Sequence, residues 1–128
     1  MSGYLLDSHV LLWLLATPER IGPTCRQALD AAGEVRFSAA SVWELAIKAD
    51  LGKVTVPDGL AASAAAAGLK ELPITAAQAE AAARVGLPHR DPFDRMLVAQ
   101  AASEGLVLMT VDRVLLGAEL GGLQDARA

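Results

Sequence analysis

Short apolar segments alternate with longer helix-forming stretches along this chain. Each apolar segment has the length of a buried β-strand and is followed by a residue that favours a helix start. Strands are predicted at residues 4–6, 35–37, 72–74 and 106–109. Helices are predicted at residues 8–16, 24–32, 41–51, 59–68, 76–85 and 92–104. This alternation predicts an α/β fold in which a parallel sheet is covered on both faces.

The size of the chain limits it to one domain, residues 1–128. Of the residues, 53% are hydrophobic and 20% are charged, so the chain can form a core and is not of the disordered class. Aromatic residues make up only 4%, so Ala, Leu and Val must supply most of that core. No apolar run approaches the roughly 20 residues of a membrane span, and no secretory signal is visible.

The charge balance is acidic, with a net charge of −4. This argues against a protein that coats nucleic acid through bulk charge, but it leaves room for a local basic patch. Cys25 is the single cysteine and has no partner for an intramolecular disulfide. A reducing cytoplasm is therefore the expected compartment of a soluble protein.

Four carboxylates stand in otherwise apolar sequence, at Asp7, Glu44, Asp94 and Asp112. From Asp94 a helix descends by about 15 Å, and the following strand returns by about 16 Å to Asp112. Asp7 and Glu44 also follow predicted strands. All four should therefore meet at the carboxyl edge of the sheet, where ligand sites form in open parallel sheets.

Each of these acids has a purely structural alternative. Asp7 and Asp112 suit helix N-caps. Ser41 to Glu44 matches a capping box, and Glu44 could instead pair with Lys48 one turn later. Caps do not explain four acids at one edge, whereas a divalent cation would relieve their repulsion. All-oxygen ligands suit Mg²⁺ or Mn²⁺.

Basic residues flank the acids in sequence, among them Lys48, Arg95 and Arg113. They either lie in solvent around the acids or contact the phosphate backbone of a nucleic acid. His9 is interpreted as a packing or hydrogen-bonding residue near the site, and His89 as a surface loop residue.

The predicted first helix is apolar on every side over residues 10–15. Such a helix is covered all round. Because the sheet of a small domain covers only one side, a second copy of the chain or a bound partner is expected on the other.

Five segments carry a resemblance to a known family. They are LLDSHVLLWLL, SVWELAIKADLGKV, LPIT, HRDPFDRMLVAQA and LVLMTVD, in this order between residues 4 and 116. In these segments the chain resembles PIN-domain toxins of the VapC type, the ribonuclease halves of type II toxin–antitoxin pairs. The resemblance implies a three-layer α/β/α sandwich with a short, mainly parallel central sheet. It also implies a homodimer and a cognate antitoxin that obstructs the acidic pocket.

The resemblance further implies a Mg²⁺- or Mn²⁺-dependent endoribonuclease. Its catalytic residues would be Asp7, Glu44, Asp94 and Asp112, of which all but Glu44 hold the metal. Lys48, Arg95 and Arg113 would neutralise the RNA backbone. With so few aromatic residues, recognition is expected to depend on phosphates, shape and metal more than on base stacking.

The sequence leaves the role of Asp91, the role of the tail and the class of function open. Asp91 either lies behind the ligands or replaces Asp94 among them, and the tail after Gly117 is given no role. Two alternatives to a nuclease are a catalytically silent PIN-like scaffold and a receiver-like signalling domain. The second needs an acceptor Asp and a Lys after later strands, where this chain has Ser38 and Thr75.

Overall fold

The computed structural model describes residues 3–86, 91–118 and 120–128. Within them, five strands form one sheet. The strands are β1 (Gly3–Leu6), β2 (Glu34–Ser38), β3 (Lys70–Leu72), β4 (Val107–Thr110) and β5 (Leu123–Asp125). Their order across the sheet is β3-β2-β1-β4-β5, and every pair is parallel.

Helices cover both faces of this sheet. They are α1 (Ser8–Ala16), α2 (Pro23–Ala31), α3 (Ala39–Asp50), α4 (Leu60–Ala66), α5 (Ala76–Ala82), α6 (Pro92–Glu104) and α7 (Arg113–Gly117), with a short 3-10 helix at Pro18–Arg20. Successive strand residues point to opposite faces, so Leu6 belongs to the apolar cluster with α1 to α4 and Leu5 to the cluster with α6 and α7. The predicted α/β/α sandwich is confirmed.

The predicted strand at residues 72–74 is wrong by two positions, because β3 spans Lys70–Leu72. Lys70 and Glu71 are exposed, which is possible because β3 lies at the edge of the sheet. The apolar residues 72–74 therefore did not coincide with the strand. The tail after Gly117 also has a structural role, as β5 extends the sheet beside β4. Its three residues, Leu-Gln-Asp, have no apolar run that could predict a strand. The predicted surface position of His89 lies outside the described residues.

The apolar helix α1 is covered mainly by its own chain. Val10 and Leu11 are fully buried, and residues 12–15 are partly buried against the core cluster formed with α2, α3 and α4. The segment after α3 adds Val54 and Val56 to the same cover. The chain itself thus covers much of α1, and residues 12–15 keep part of their surface exposed. In the described ranges, the large exposed apolar side chains lie elsewhere, chiefly on α3.

The longest helix of the described residues, α6, has 13 residues. A helix that crosses a bilayer needs about 20. In the part of the chain that the structure describes, no helix has the length and apolarity for such a crossing.

The sheet order places a crevice between β1 and β4. From β1 the chain proceeds to β2 and β3 on one side, and it later forms β4 and β5 on the other. In open parallel sheets, ligands bind outside the carboxyl ends of the strands at such a reversal. The order also differs from the 2-1-3-4-5 order of receiver-like domains, so that alternative is wrong.

A buried polar network fixes α6 against the sheet. The hydroxyl of Ser38 donates a 2.5 Å hydrogen bond to Oε1 of Gln100, a side chain with no exposed surface. The amide of Gln100 donates to the carbonyl of Pro73 at 3.2 Å and to Oε1 of Gln78 at 3.1 Å. Since β2, α5 and α6 are joined here, the network positions the N-terminal turn of α6, which carries Asp94.

Candidate active site

A pocket of about 160 Å³ lies at the carboxyl edge of the sheet. Its lining consists of Asp7, Ser8, His9, Glu44, Lys48, Asp91, Asp94 and Asp112. Five of these eight side chains are carboxylates. The structure therefore brings together the four acids singled out in the sequence and adds Asp91 to them.

Asp7 follows β1 and caps α1. Its Oδ1 accepts a hydrogen bond from the backbone N–H of Val10 at 2.8 Å. Its Oδ2 accepts from the Thr110 hydroxyl and from the backbone N–H of Val111, the latter at 3.3 Å. Burial raises the pKa of Asp7 above its ordinary value of 3.8, against the lowering effect of the bond from Thr110. The carboxylate thus joins the ends of β1 and β4 as well as capping a helix.

Glu44 is held by donors at both carboxylate oxygens. Oε1 accepts from the Ser8 hydroxyl at 2.5 Å, and Oε2 accepts from Nζ of Lys48 at 2.7 Å. The bond to Glu44 is the main cause that raises the pKa of Lys48. The predicted ion pair between Glu44 and Lys48, one helical turn apart, is thus present. The capping-box interpretation is wrong, because Ser38 caps α3 and places Ser41 inside its first turn.

Asp91 and Asp94 lie at the N-terminus of α6. Oδ1 of Asp91 accepts from the backbone N–H groups of Phe93 at 2.9 Å and of Asp94 at 3.3 Å. Pro92 occupies the first helical position, where its missing N–H is not required. The pKa of Asp94 is raised from 3.8 to about 7, mainly by burial and in addition by the charges of the other four carboxylates, that of Asp91 most.

Asp112 follows β4 and caps α7. Its Oδ1 accepts from the backbone N–H groups of Val114 at 2.9 Å and Leu115 at 3.0 Å. Its own backbone N–H donates to Oγ1 of Thr110 at 3.0 Å. Because the Thr110 hydroxyl also donates to Asp7, one side chain links two acids of the pocket. Asp7 and Asp112 therefore each cap a helix and also line the pocket.

The donor chemistry of the pocket fits a hard divalent cation. Asp7, Asp94 and Asp112 offer the carboxylate oxygens that Mg²⁺ and Mn²⁺ prefer. The raised pKa of Asp94 reflects its burial first and then the repulsion of the neighbouring carboxylates, which a cation would relieve. Within residues 3–86, 91–118 and 120–128, however, no three His, Cys, Asp or Glu side chains already stand in a metal-holding arrangement. The helix-capping bonds of Asp7 and Asp112 leave lone pairs for a cation, because an ionised carboxylate has about four acceptor sites.

The family assignment rests on the same stretch of sequence. The PIN domain family matches residues 4–118, which include every carboxylate of the pocket. The chain belongs to the PIN domain family. Ribonuclease VapC22 of Mycobacterium tuberculosis (strain ATCC 25618 / H37Rv) is 35% identical over 120 residues, covering 90% of this chain and 91% of the relative.

Solved structures share the PIN fold at lower identity. The DNA-bound VapBC from Salmonella typhimurium superposes with a TM-score of 0.67 at 22% identity, over 98% of both chains. VapBC2 from Rickettsia felis, bound to a DNA fragment from its promoter, has a TM-score of 0.67 at 12% identity. That match covers 95% of this chain and 97% of the other. In this PIN domain the family match ends before β5, although β5 pairs with β4 as part of the sheet.

The three basic residues predicted to contact RNA separate in the structure of this PIN domain. Lys48 lines the pocket. Arg95 donates through Nη1 to the carbonyl of Val85 at 2.6 Å, so it is directed toward the segment after α5. Arg113 is exposed on α7 and does not line the pocket.

Two residues near the pocket of the PIN domain had no assigned role. Ser8 holds Glu44, and its place directly after Asp7 was the available signal. Arg127 donates through Nη2 to the carbonyl of Val111 at 3.0 Å, next to Asp112. No sequence signal pointed to Arg127, because it reaches this edge only through the pairing of β5.

Proposed function

We propose that this PIN domain is a metal-dependent endoribonuclease and the toxin of a type II toxin–antitoxin pair. The observation that carries the proposal is the convergence of Asp7, Glu44, Asp94 and Asp112 in one pocket at the β1/β4 crevice. The relative from Mycobacterium tuberculosis is named a ribonuclease, and the Salmonella and Rickettsia neighbours are VapBC complexes. These names support the same activity and an antitoxin partner for this chain.

In this proposal Asp7, Asp94 and Asp112 hold Mg²⁺ or Mn²⁺. The bound ion supplies an acidified water and neutralises charge on the scissile phosphate. Glu44 accepts the proton of the attacking water, in an orientation set by Ser8 and Lys48. Lys48 neutralises a neighbouring phosphate. Cleavage leaves a 5′-phosphate and a 3′-hydroxyl.

The remaining parts of the proposal concern assembly. A cognate antitoxin covers the acidic pocket, the toxin forms a homodimer, and both act in the cytoplasm. Arg95 and Arg113 do not line the pocket, so any contact that they make with RNA lies farther along the strand.

The direct test is RNA cleavage by the purified chain with Mg²⁺ and with EDTA. Asp7→Asn and Asp94→Asn remove one pocket carboxylate each, and both should abolish cleavage. Asp50→Asn is the matched control, because it makes the same change at an exposed position outside the pocket. Cleavage that persists in EDTA or in both pocket variants contradicts the assignment. Growth arrest on expression, absent for Asp94→Asn, tests the toxin role.

A silent scaffold remains the second candidate, and one observation favours it. Both oxygens of Asp7 already accept hydrogen bonds, and the described carboxylates are not arranged as a finished metal site. Calorimetric titration with Mg²⁺ separates the two functions. Binding that disappears in Asp94→Asn supports the nuclease, whereas no heat of binding supports the scaffold.

A further inference from the structure

The segment after β5 is bonded to the carboxyl end of β4 beside the acidic pocket. The backbone N–H of Ala126 donates to the carbonyl of Thr110 at 2.9 Å, which continues the pairing of β5 with β4. One residue further, Nη2 of Arg127 donates to the carbonyl of Val111 at 3.0 Å. The side chain of Arg127 thus bonds to the backbone of the segment that leads from β4 into α7.

Val111 lies between two of the proposed metal ligands. Its backbone N–H donates to Oδ2 of Asp7 at 3.3 Å, and its carbonyl accepts from Arg127. Asp112 follows directly, with its own backbone N–H bonded to Oγ1 of Thr110 at 3.0 Å. The bond from Arg127 therefore acts on the short segment that sets the distance between the carboxylates of Asp7 and Asp112.

Contacts of the C-terminal tail direct Arg127 to this carbonyl. Oδ1 of Asp125 accepts from the backbone N–H of Arg127 at 2.9 Å and lies 3.7 Å from its Nη1. The tail is also bonded to the start of α2, where the backbone N–H of Gly22 donates to the carbonyl of Ala126 at 2.9 Å. The backbone from which Arg127 extends is thus held on two sides, by β4 and by α2.

We propose that Arg127 is a positioning residue of the candidate active site. By holding the carbonyl of Val111, it keeps the carboxylate of Asp112 within reach of the cation that Asp7 binds. The inference rests on the proposed metal-dependent function and adds a residue outside the stretch 4–118 that the family model matches. Groups that hold metal ligands in place contribute about tenfold to a hundredfold to metal affinity. Arg127 has this effect through the backbone next to the ligand.

Two simpler roles are available to this side chain. Its bond to Val111 could only fasten the tail, and with 43% of its side chain exposed Arg127 is accessible to an RNA phosphate. The effect on cation affinity separates these roles from positioning. Because Arg127 carries a positive charge beside an acidic pocket, loss of the charge alone strengthens cation binding. Loss of the positioning weakens it.

The test measures the Mn²⁺ affinity of the purified chain without RNA, from the electron paramagnetic resonance signal of the free ion. Asp94→Asn should abolish this binding and so identify the pocket as its site. Arg127→Met removes the donor and the charge and should weaken Mn²⁺ binding by about tenfold. Arg127→Lys keeps the charge and an N–H donor and should recover most of the affinity. Arg84→Met makes the same change at an exposed position outside the pocket and should leave the affinity unchanged.

Cys25→Ala is the control for a loosened tail. It removes the thiol that donates to the carbonyl of Asp125 at 2.9 Å and leaves Arg127 in place. This variant should lower the melting temperature without lowering the Mn²⁺ affinity. Three results overturn the proposal: unchanged or tighter Mn²⁺ binding in Arg127→Met, equal weakening in Cys25→Ala, or a shallower salt dependence of RNA binding as the only effect of Arg127→Met.

Amide hydrogen exchange gives a local readout that needs no metal. In Arg127→Met, the backbone N–H of Val111 should exchange faster relative to that of Leu108, which donates to the carbonyl of Gly122 at 2.8 Å. Loosening of the whole sheet would accelerate both amides together. An unchanged ratio of the two exchange rates would show that Arg127 does not hold the segment.

The outcome can be separated from that of the nuclease assignment. If the wild-type chain binds Mn²⁺ and cleaves RNA but Arg127→Met binds Mn²⁺ equally well, the positioning role is wrong and the nuclease stands. If the wild-type chain binds Mn²⁺ without cleaving RNA, the nuclease is wrong, and weaker binding by Arg127→Met still supports the positioning role. If the wild-type chain binds no Mn²⁺, both proposals are wrong.

Discussion

The hydroxyl of Ser8 donates a 2.5 Å hydrogen bond to Oε1 of Glu44, 36 positions away in sequence. Both residues are buried, and Lys48 holds the other carboxylate oxygen at 2.7 Å. The two donors come from different helices, α1 and α3. Two donors from different helices therefore hold the carboxylate of Glu44 in the pocket.

Ser8→Ala should lower the rate of RNA cleavage by roughly tenfold and the free energy of unfolding by about 1–3 kcal/mol. The loss of stability reflects a buried acceptor that loses a donor. Ser8→Thr keeps the hydroxyl and should retain most of both quantities. Single-turnover cleavage and urea unfolding measure them. Wild-type cleavage in Ser8→Ala would show that Ser8 does not position Glu44.

Lys48→Met should lower cleavage for two reasons, since it removes a cation from the pocket and a donor from Glu44. The dependence of log K on log salt for single-stranded RNA should become shallower by about 0.7, the contribution of one phosphate contact. Lys53→Met makes the same change at an exposed position outside the pocket and should alter neither quantity. An unchanged salt slope in Lys48→Met would argue that Lys48 holds Glu44 alone.

The metal-free protein should lose stability as the pH rises. Burial and the neighbouring carboxylates together raise the pKa of Asp94 from 3.8 to about 7, so the folded protein binds this proton more tightly than the unfolded chain does. Its stabilising contribution is complete below about pH 4 and disappears as the pH rises through about 7. The pKa of Asp7 is raised as well and acts in the same direction.

Melting temperatures measured in EDTA across this pH range test the expectation. Asp94→Asn cannot ionise and should flatten the decline, whereas Asp50→Asn should follow the wild type. A parallel decline in wild type and Asp94→Asn would mean that Asp94 is not the titrating group.

Mg²⁺ should stabilise the folded chain at neutral pH. An ion that binds only the folded state at about one hundred times its dissociation constant adds about 2.7 kcal/mol to the free energy of unfolding. Asp94→Asn should remove most of this gain, and Asp50→Asn should keep it. The measurement is thermal unfolding at increasing Mg²⁺. A gain of the same size in Asp94→Asn would place the bound ion outside the pocket.

Gly22→Ala should destabilise the fold by about 1–3 kcal/mol, as overpacking does. A Cβ at Gly22 would lie 2.2 Å from the carbonyl oxygen of Arg127, in the segment that follows β5. The backbone N–H of Gly22 also donates to the carbonyl of Ala126 at 2.9 Å. Gly117→Ala is the control, because among the described residues outside its own helical turn no atom lies within 4 Å of the added Cβ. Equal melting temperatures for the two variants would show that the C-terminal tail accommodates the added methyl group without loss of stability.

Helices with strong local signals were predicted with their observed bounds. Asp7 caps α1, and Asp91 with Pro92 begins α6, so short-range chemistry was enough for both. The gathering of Asp94 and Asp112 was also predictable, because the rise per residue of a helix and a strand determines where a helix–strand unit returns. β5 and α7 were not predicted, since three to five residues contain too little periodicity.

The prediction of a capping box was wrong because a second residue nearby could also cap the helix. Ser41 and Glu44 fit a capping box, but the Ser38 side chain accepts from the backbone N–H of Ala40 and starts α3 earlier. The apolar pattern of α1 predicted cover on its outer side, and part of that cover comes from distant segments of the same chain, since Val54 and Val56 pack against the cluster that contains Val10 and Leu11. The spacing of apolar residues does not show which distant segment of the chain covers a given helix face.

The sequence by itself determined the alternation of strands and helices and the edge of the sheet at which the acids collect. Both follow from periodicity, capping and the fixed geometry of the backbone. Only the tertiary structure decided that Ser8 meets Glu44, that Thr110 links two aspartates and that Trp43 stays exposed beside Phe93. These contacts join residues far apart in the chain, so their geometry depends on how whole elements pack. That packing is set by the complete core rather than by any local pattern.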